Sequence, residues 1–204
     1  MANRYRISLG AALATVVVLM LVAACSSKPG RAEPMATSRC DAPPASRILE
    51  ANEGERRVRR PPPTAAGRAL GLFVIKVDCQ NGGSPDLFFA YEDIPPGLQI
   101  RPHHHPHMDE ILIIRQGSGL ATLSGREARV TAGATIYIPR DTTVSLRNTG
   151  AEPLSIAWVF PNNSYGDYLR EGSVKEGEPV TPFTAEEYAG RRARFAWLQM
   201  IEPQ

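Results

Sequence analysis

Residues 101–117, RPHHHPHMDEILIIRQG, contain every histidine of the 204-residue chain. The four histidines fall between His103 and His107, directly before the carboxylates of Asp109 and Glu110. Imidazole nitrogens and carboxylate oxygens are common ligands of divalent transition metals. This stretch therefore decides how the rest of the chain is interpreted.

The spacing within the stretch predicts a three-ligand metal site. Side chains alternate along a β-strand, so His103 and His105 share one face and His104 points to the other. A bend at Pro106 would bring Glu110, at the start of the next strand, back towards them. Two histidines and one carboxylate leave open coordination positions, as in non-heme Fe(II) sites, and Mn, Ni, Cu or Zn also bind such ligands.

Two other interpretations of the cluster remain open at this point. The histidines can form a surface tract that binds metal opportunistically, or they can be unrelated loop residues. The apolar run Ile111–Ile114, which directly follows Glu110, argues against both interpretations. It places the carboxylate at the entrance of a buried strand, where it would be destabilising unless paired or bound to metal.

The surrounding sequence predicts an all-β fold with one C-terminal helix. Short β-rich runs such as 70–77, 86–93 and 153–160 alternate with turns rich in Gly, Asn and Pro. This pattern is typical of a sandwich or barrel. Near the end, Thr184 and Glu187 have the spacing of a capping box, which predicts a helix over about 184–198.

The histidine stretch resembles the first motif of the cupins. In that family, Gly is followed after five residues by His-x-His, then by Glu after three or four residues, and by Gly after six more. Here Gly97, His103, His105, Glu110 and Gly117 match every position.

The second cupin motif is matched in part by residues 133–148, GATIYIPRDTTVSLRN. Gly133, Pro139 and Asn148 stand where the motif has Gly, Pro and Asn. Asp141 replaces a glycine, and Val144 replaces the histidine that is usually the fourth metal ligand. The resemblance covers about residues 70–160.

The resemblance implies a single small antiparallel cupin (jelly-roll) barrel. With the predicted C-terminal α-helix, the folded domain is expected to span 47–200, after the Pro-, Ala- and Ser-rich segment. The resemblance also implies that His103, His105 and Glu110 hold a divalent metal inside the barrel. Because Val144 cannot bind metal, three outcomes stay open. The three ligands suffice, His107 substitutes for the missing one, or the site binds no metal.

Five residues are candidates for the pocket around this site. Gln99 and Arg101 share the face of His103 and would meet an oxygen-rich ligand at the mouth, or else form a solvent-exposed rim. Thr142 and Val144 would share one face of a neighbouring strand. Tyr137 would donate to a ligand, although packing within the barrel is the more common role for such a residue.

The N-terminus predicts export and lipid anchoring. Residues 1–24 have a basic start and an apolar run, as in a signal peptide. The end of that run, Val22–Cys25, resembles the lipobox of bacterial lipoproteins, in which Cys25 is lipidated and becomes the first mature residue. The alternative is an ordinary signal peptide. Serines at 26 and 27 favour an outer membrane in a Gram-negative host.

The segment after the predicted cleavage site has the composition of a tether. Residues 25–46 are rich in Pro, Ala and Ser, which predicts a disordered link between the lipid and the domain. Cys40 and Cys79 form an even pair in an oxidising compartment, which favours a disulfide over two free thiols.

The charge balance excludes a nucleic-acid-binding role. Removal of residues 1–24 lowers Lys+Arg from 23 to 21, equal to the 21 acidic residues. The one basic cluster, ERRVRR at 55–60, has acidic neighbours and is interpreted as a solvated face with weak attraction to anionic lipids at most.

Three functions are consistent with these features. The first is a metal-dependent enzyme, for example an oxygenase acting on a small organic substrate. The second is a non-enzymatic module that binds a small ligand or metal at the cell envelope. The third is a structural barrel used for protein contacts. The cupin resemblance also favours a homodimer, since cupins are commonly dimers.

Overall fold

The computed structural model describes residues 40, 45–65 and 71–201. The predicted signal peptide (1–24), the predicted lipidation site Cys25 and most of the predicted tether (25–46) lie outside the described residues. No helix within the described ranges is long and apolar enough to cross a membrane.

The β-rich runs of the sequence form strands close to their predicted positions, because alternating apolar residues give each strand one buried face. The predicted runs become β2 (Leu72–Val77), β3 (Phe88–Ile94), β4 (Gln99–His104), β5 (Glu110–Gln116), β6 (Ser118–Leu123), β7 (Arg126–Thr131), β8 (Thr135–Ile138), β9 (Val144–Asn148) and β10 (Leu154–Phe160). Three further strands are β1 (Glu55–Arg59), β11 (Ser173–Lys175) and β12 (Met200–Ile201), and Pro63–Ala65 form a 3-10 turn.

These strands form two antiparallel sheets with the jelly-roll character predicted for a cupin. The larger sheet has the order β11-β1-β2-β3-β10-β5-β8, and the smaller has the order β12-β4-β9-β6-β7. Across the described residues each sheet has its own hydrogen-bonded ladder, so closure comes from packing of the inner faces and not from one continuous ladder. The predicted all-β fold class is confirmed.

The C-terminal helix is present but shorter than predicted. It is α2 (Ala185–Arg194), and Thr184 and Glu187 form the predicted capping box. The expected end at residue 198 is wrong, because the chain leaves the helix at Phe195 and turns towards β12. The turn buries Leu198 completely, and its carbonyl reaches the interior of the domain.

A second helix, α1 (Ser164–Glu171), was not predicted. It follows β10 and buries Tyr165, Tyr168 and Leu169, which are spaced as one face of a helix. The polar residues that surround them obscure this short pattern in the sequence.

The interpretation of ERRVRR as a solvated face is also wrong. Residues 55–59 form β1, and Arg57 is only 8% exposed. Long-range carboxylate partners that the sequence does not reveal compensate these arginines. Part of this arrangement is a buried arginine–carboxylate network, composed of Glu55, Arg57, Asp78 and Arg170.

The predicted pairing of Cys40 with Cys79 is present as a disulfide. Cys79 lies two residues after the end of β2, so the bond attaches the described end of the tether to the larger sheet. Ala45 donates a backbone hydrogen bond to Gly82 in the same loop. The tether therefore meets the domain at the turn between β2 and β3.

Candidate metal centre

The two predicted histidine ligands point into the space between the sheets. His103 lies near the end of β4 and is 5% exposed, and His105 follows the strand and is 2% exposed. Their rings meet edge to face, with centroids 5.0 Å apart. The predicted alternation holds, since the intervening His104 is only partly buried.

Backbone carbonyls fix the orientation of both rings. Nδ1 of His103 lies 2.8 Å from the carbonyl oxygen of Arg101, and Nδ1 of His105 lies 2.8 Å from that of Leu198. A carbonyl can only accept, so each Nδ1 carries the hydrogen and donates it. Each Nε2 then keeps its lone pair, which is how metal-binding histidines are usually prepared.

Glu110 completes a cluster that we call the His–His–Glu group, defined by His103, His105 and Glu110. One ligand atom of each residue lies within 4.8 Å of the other two. Glu110 begins β5, as predicted, and is 6% exposed. Its Oε2 is 3.5 Å from Nε2 of His105, and neither atom has a hydrogen-bond partner.

The electrostatics of the group favour metal binding over ion pairing. Burial, and after it the neighbouring His105, lower the pKa of His103 to about 4, although Glu110 acts in the opposite direction. His103 is therefore neutral at pH 7 with a free lone pair. Because an unpaired buried carboxylate is destabilising, a cation beside Glu110 would satisfy the arrangement.

The residue that replaces the fourth ligand lies where a ligand would be. Val144 begins β9 directly opposite His103 in the β4–β9 pair and is 2% exposed. It faces the same cavity as Leu146 and Leu112. This side of the His–His–Glu group is therefore apolar.

His107 does not take the place of the missing ligand. It is exposed and lies outside the His–His–Glu group. The chain bends at Pro106 and His107, and the next residue to enter the interior is Met108, which is 2% exposed. The bend turns His107 outward.

A cavity of about 580 Å³ leads from the surface to His103 and Glu110. Of the predicted pocket residues, Gln99, Arg101 and Val144 line it. Gln99 is exposed at the mouth, and Arg101 is partly buried beside His103. Both therefore lie where a ligand would enter.

Two predicted pocket residues are not in the cavity. Thr142 belongs to the turn before β9, where its backbone N–H donates to Pro139, and strand alternation does not apply there. Tyr137 is 59% exposed because Ile136 and Ile138 occupy the inner face of β8. Its hydroxyl donates to the Asp109 carboxylate at the surface.

Other residues of the cavity were missed by the sequence analysis. Trp158 of β10 and Tyr165 of α1 line it, and Tyr165 donates to the side chain of Gln199 over 2.9 Å. Arg59 pairs with Glu92 across two strands of the larger sheet. The apolar alternation of β10 is the one signal that would have indicated Trp158.

The comparison with protein families agrees with this geometry. Residues 90–160 match the family model described as the cupin domain. Residues 90–160 therefore have the sequence of a cupin domain. The matched segment includes the complete His–His–Glu group and Val144, and it lies within the 70–160 predicted as the core of the cupin resemblance.

Two curated proteins share part of this cupin sequence. One is mannose-1-phosphate guanylyltransferase 2 of Escherichia coli O157:H7, 40% identical over 78 residues, or 38% of this chain and 15% of that protein. The other is dimethylsulfoniopropionate lyase DddW of Ruegeria pomeroyi, 34% identical over 83 residues, or 39% of this chain and 51% of that protein. The chain therefore spans about half of one relative and 15% of the other.

Among solved structures, KdgF from Halomonas sp. is similar with a TM-score of 0.48 and 18% sequence identity. The alignment covers 60% of this chain and 99% of that one.

Proposed function

We propose that this chain is an extracytoplasmic, lipid-anchored cupin that binds a divalent transition metal and acts on a small organic molecule. His103, His105 and Glu110 hold the metal. The observation that carries the proposal is the pair of backbone carbonyls that orient both histidines, beside a buried carboxylate whose Oε2 has no hydrogen-bond partner. A buried carboxylate without a partner is destabilising, so a cation bound between these three side chains would stabilise the arrangement.

The residues around the His–His–Glu group form an apolar side and a polar edge, as in a small-molecule site. The apolar side formed by Val144, Leu112 and Leu146 excludes water, while Arg101 and Gln99 give the approach a polar edge. When bound, a divalent metal with open coordination positions supplies Lewis-acid or redox chemistry. The side chains themselves orient and desolvate the substrate.

Metal-dependent enzymatic activity, for example that of an oxygenase, is the function we favour. One relative is named as a lyase and another as a guanylyltransferase, and each extends well beyond the shared segment. Their names therefore support catalysis by a cupin only in general terms. The reaction is proposed here from the open metal site alone.

A non-enzymatic role is the second candidate, and Val144 is the observation that favours it. With an apolar residue at the fourth ligand position, the site would bind metal more weakly than a four-ligand cupin site. A module that binds a small ligand or buffers metal at the envelope needs no further catalytic group.

Elemental analysis tests the proposal. The protein is purified without a histidine tag from the cell envelope in detergent, alongside His105→Ala and His107→Ala. We expect about one equivalent of a transition metal in the wild type and in His107→Ala, and under about a tenth in His105→Ala. His107→Ala is the matched control, because it removes an exposed histidine from the same tract.

Two outcomes would contradict the proposal. A wild-type protein that takes up no Fe(II), Mn(II), Ni(II) or Zn(II) would not be a metalloprotein. Equal losses in His105→Ala and His107→Ala would indicate an opportunistic surface tract. The anchor is tested separately, since Cys25→Ala should leave the protein in the soluble fraction without an attached lipid.

A further inference from the structure

Two of the cavity arginines are neutralised within the protein. Arg59 donates two hydrogen bonds to Glu92, over 2.9 and 3.1 Å. Arg60 pairs with Glu187 at 3.1 Å. Neither guanidinium has an uncompensated charge to offer a ligand.

A third cavity arginine has a structural role. Arg191 of α2 is 7% exposed, donates to the carbonyl of Tyr168 over 2.7 Å and lies 3.9 Å from the centre of that ring. Its guanidinium packs against Gly172, where an added Cβ would meet it within 2.5 Å. Arg191 thus stabilises the C-terminal end of α1.

Arg101 shares with Arg191 a buried Nε that has no acceptor, but within the described residues it has neither the carbonyl contact nor the ring contact that holds the Arg191 guanidinium. Arg101 lies on β4 and lines the cavity. Within the part of the chain that the structure describes, no carboxylate lies within ion-pair distance of it. A buried charged donor without an acceptor is destabilising, so a ligand oxygen beside Arg101 would stabilise the site.

A second unpaired donor belongs to a residue that lines the same cavity on the opposite sheet. Trp158 of β10 is 3% exposed, and its indole Nε1 has no acceptor. A buried indole N–H normally finds a partner. The two sheets therefore each present one buried donor to a cavity whose walls include Leu112, Val144 and Leu146.

We infer that the cavity selects a small organic carboxylate, whose carboxylate binds Arg101 and whose second oxygen function accepts from Trp158. The planar guanidinium matches a carboxylate in a two-point contact. The unpaired donors of Arg101 and Trp158 match a carboxylate and one further oxygen, whereas a phosphate ester would bring three acceptor oxygens. The apolar walls hold the carbon skeleton.

This inference rests on the proposed function and names its substrate class. Arg101 and His103 are two residues apart on β4, beside an irregularity in its pairing with β9, and both line the cavity. A carboxylate bound at Arg101 therefore places its neighbouring carbons next to the His–His–Glu group. Arg101 is the specificity-determining residue, because it sets which end of the substrate faces the metal ligands.

Calorimetric titration tests the assignment with the full-length, metal-loaded protein. The probes are the straight-chain carboxylates from acetate to octanoate, benzoate, the corresponding amides and methyl phosphate. We expect at least one carboxylate to bind at least about tenfold more tightly than its amide, and Arg101→Gln to remove that preference. Arg101→Lys keeps the charge without the planar contact and should bind with intermediate affinity.

Arg129→Gln is the matched control, since Arg129 is an exposed arginine on β7 of the same sheet. It should leave the Kd unchanged. Carboxylates that bind no better than their amides would overturn the inference, as would unchanged binding in Arg101→Gln or a preference for methyl phosphate. Metal content is measured in every sample. A metal-free protein that prefers carboxylates would contradict only the proposed function, whereas a metal-loaded protein without that preference would contradict only this inference.

Discussion

The molecule contains two buried polar clusters that differ in one respect. In the arginine–carboxylate network, Arg170 donates to Asp78 and to Glu55 over 2.6 Å each, so the charges satisfy one another. In the His–His–Glu group, the unpaired atoms of His105 and Glu110 lie 3.5 Å apart. A cluster that is complete by itself stabilises the fold, whereas an incomplete one is suited to bind something else.

The complete cluster also supports the incomplete one. Glu55 lies on β1, Asp78 follows β2 and Arg170 lies on α1, so the network attaches α1 to the larger sheet. The same helix presents Tyr165 to the cavity, where its ring lies 5.6 Å from that of His105. Stability is thus concentrated beside the site and not within it.

The largest effect is expected from breaking the complete cluster. Arg170→Gln leaves the Asp78 carboxylate, which is fully buried, without its charged partner. Removal of one member of a buried ion pair costs about 3–5 kcal/mol. We expect the free energy of unfolding to fall by that amount in urea titrations, with the metal content of the folded protein unchanged.

Glu110→Gln is the corresponding change in the His–His–Glu group. It replaces a buried carboxylate whose Oε2 has no hydrogen-bond partner, so the unfolding free energy of the metal-free protein should stay the same or rise. It should also abolish metal binding. Equal destabilisation by both variants would show that the two clusters do not differ as described.

The second effect separates the clusters by pH. Burial and His105 lower the pKa of His103 to about 4 in the folded state, against about 6.5 in an unfolded chain. The unfolded chain therefore binds this proton first as the pH falls. The metal-free protein should lose about 3 kcal/mol of unfolding free energy between pH 6.5 and pH 4 from this group.

The network should respond at lower pH. Burial alone would raise the pKa of Glu55, but the hydrogen bonds and charges of Arg170 and Arg57 outweigh it and lower the pKa below its usual 4.5. Its contribution is present above that value and is lost as the pH falls further. Urea titrations across pH should show His103→Gln removing only the upper step, and a single step unaffected by that variant would be the contrary result.

The sequence predicted the site better than its surroundings, for a physical reason. Positions 103, 105 and 110 are related by strand alternation and one short bend, which are local properties. The prediction that Thr142 lines the pocket was wrong, because strand alternation does not hold in the turn that precedes β9. The suggestion that His107 replaces the fourth ligand was wrong, because a bend after a strand does not fix the direction of the next side chain.

The elements that were missed depend on distant partners. β1 is a strand with buried arginines because Arg57 donates to Ser173, 116 residues away, and Arg59 pairs with Glu92. The two carbonyls that orient the histidines differ in this respect. That of Arg101 is local, but that of Leu198 comes from a turn after α2 that only the folded chain brings to His105.

The smallest predicted effect tests whether the function of the site requires an apolar residue at position 144. Val144→His places an imidazole opposite His103 on the inner face of β9. A fourth ligand should tighten metal binding by at least about tenfold. Even residues that only hydrogen-bond to a metal ligand change metal affinity by that factor. Competition with a chelator at pH 7 measures the change.

Leu146→His is the matched control, because Leu146 lies two residues further along the same strand, is 1% exposed and lines the same cavity. If the site is specific, only Val144→His gains affinity, and the metal-free form of that variant becomes less stable, since it buries an unpaired imidazole. If both variants gain equally, the cavity collects metal wherever a histidine is offered. A gain at position 144 alone that also abolishes substrate turnover would show that Val144 keeps a coordination position open, and the wild-type site would then be incomplete because its function requires it.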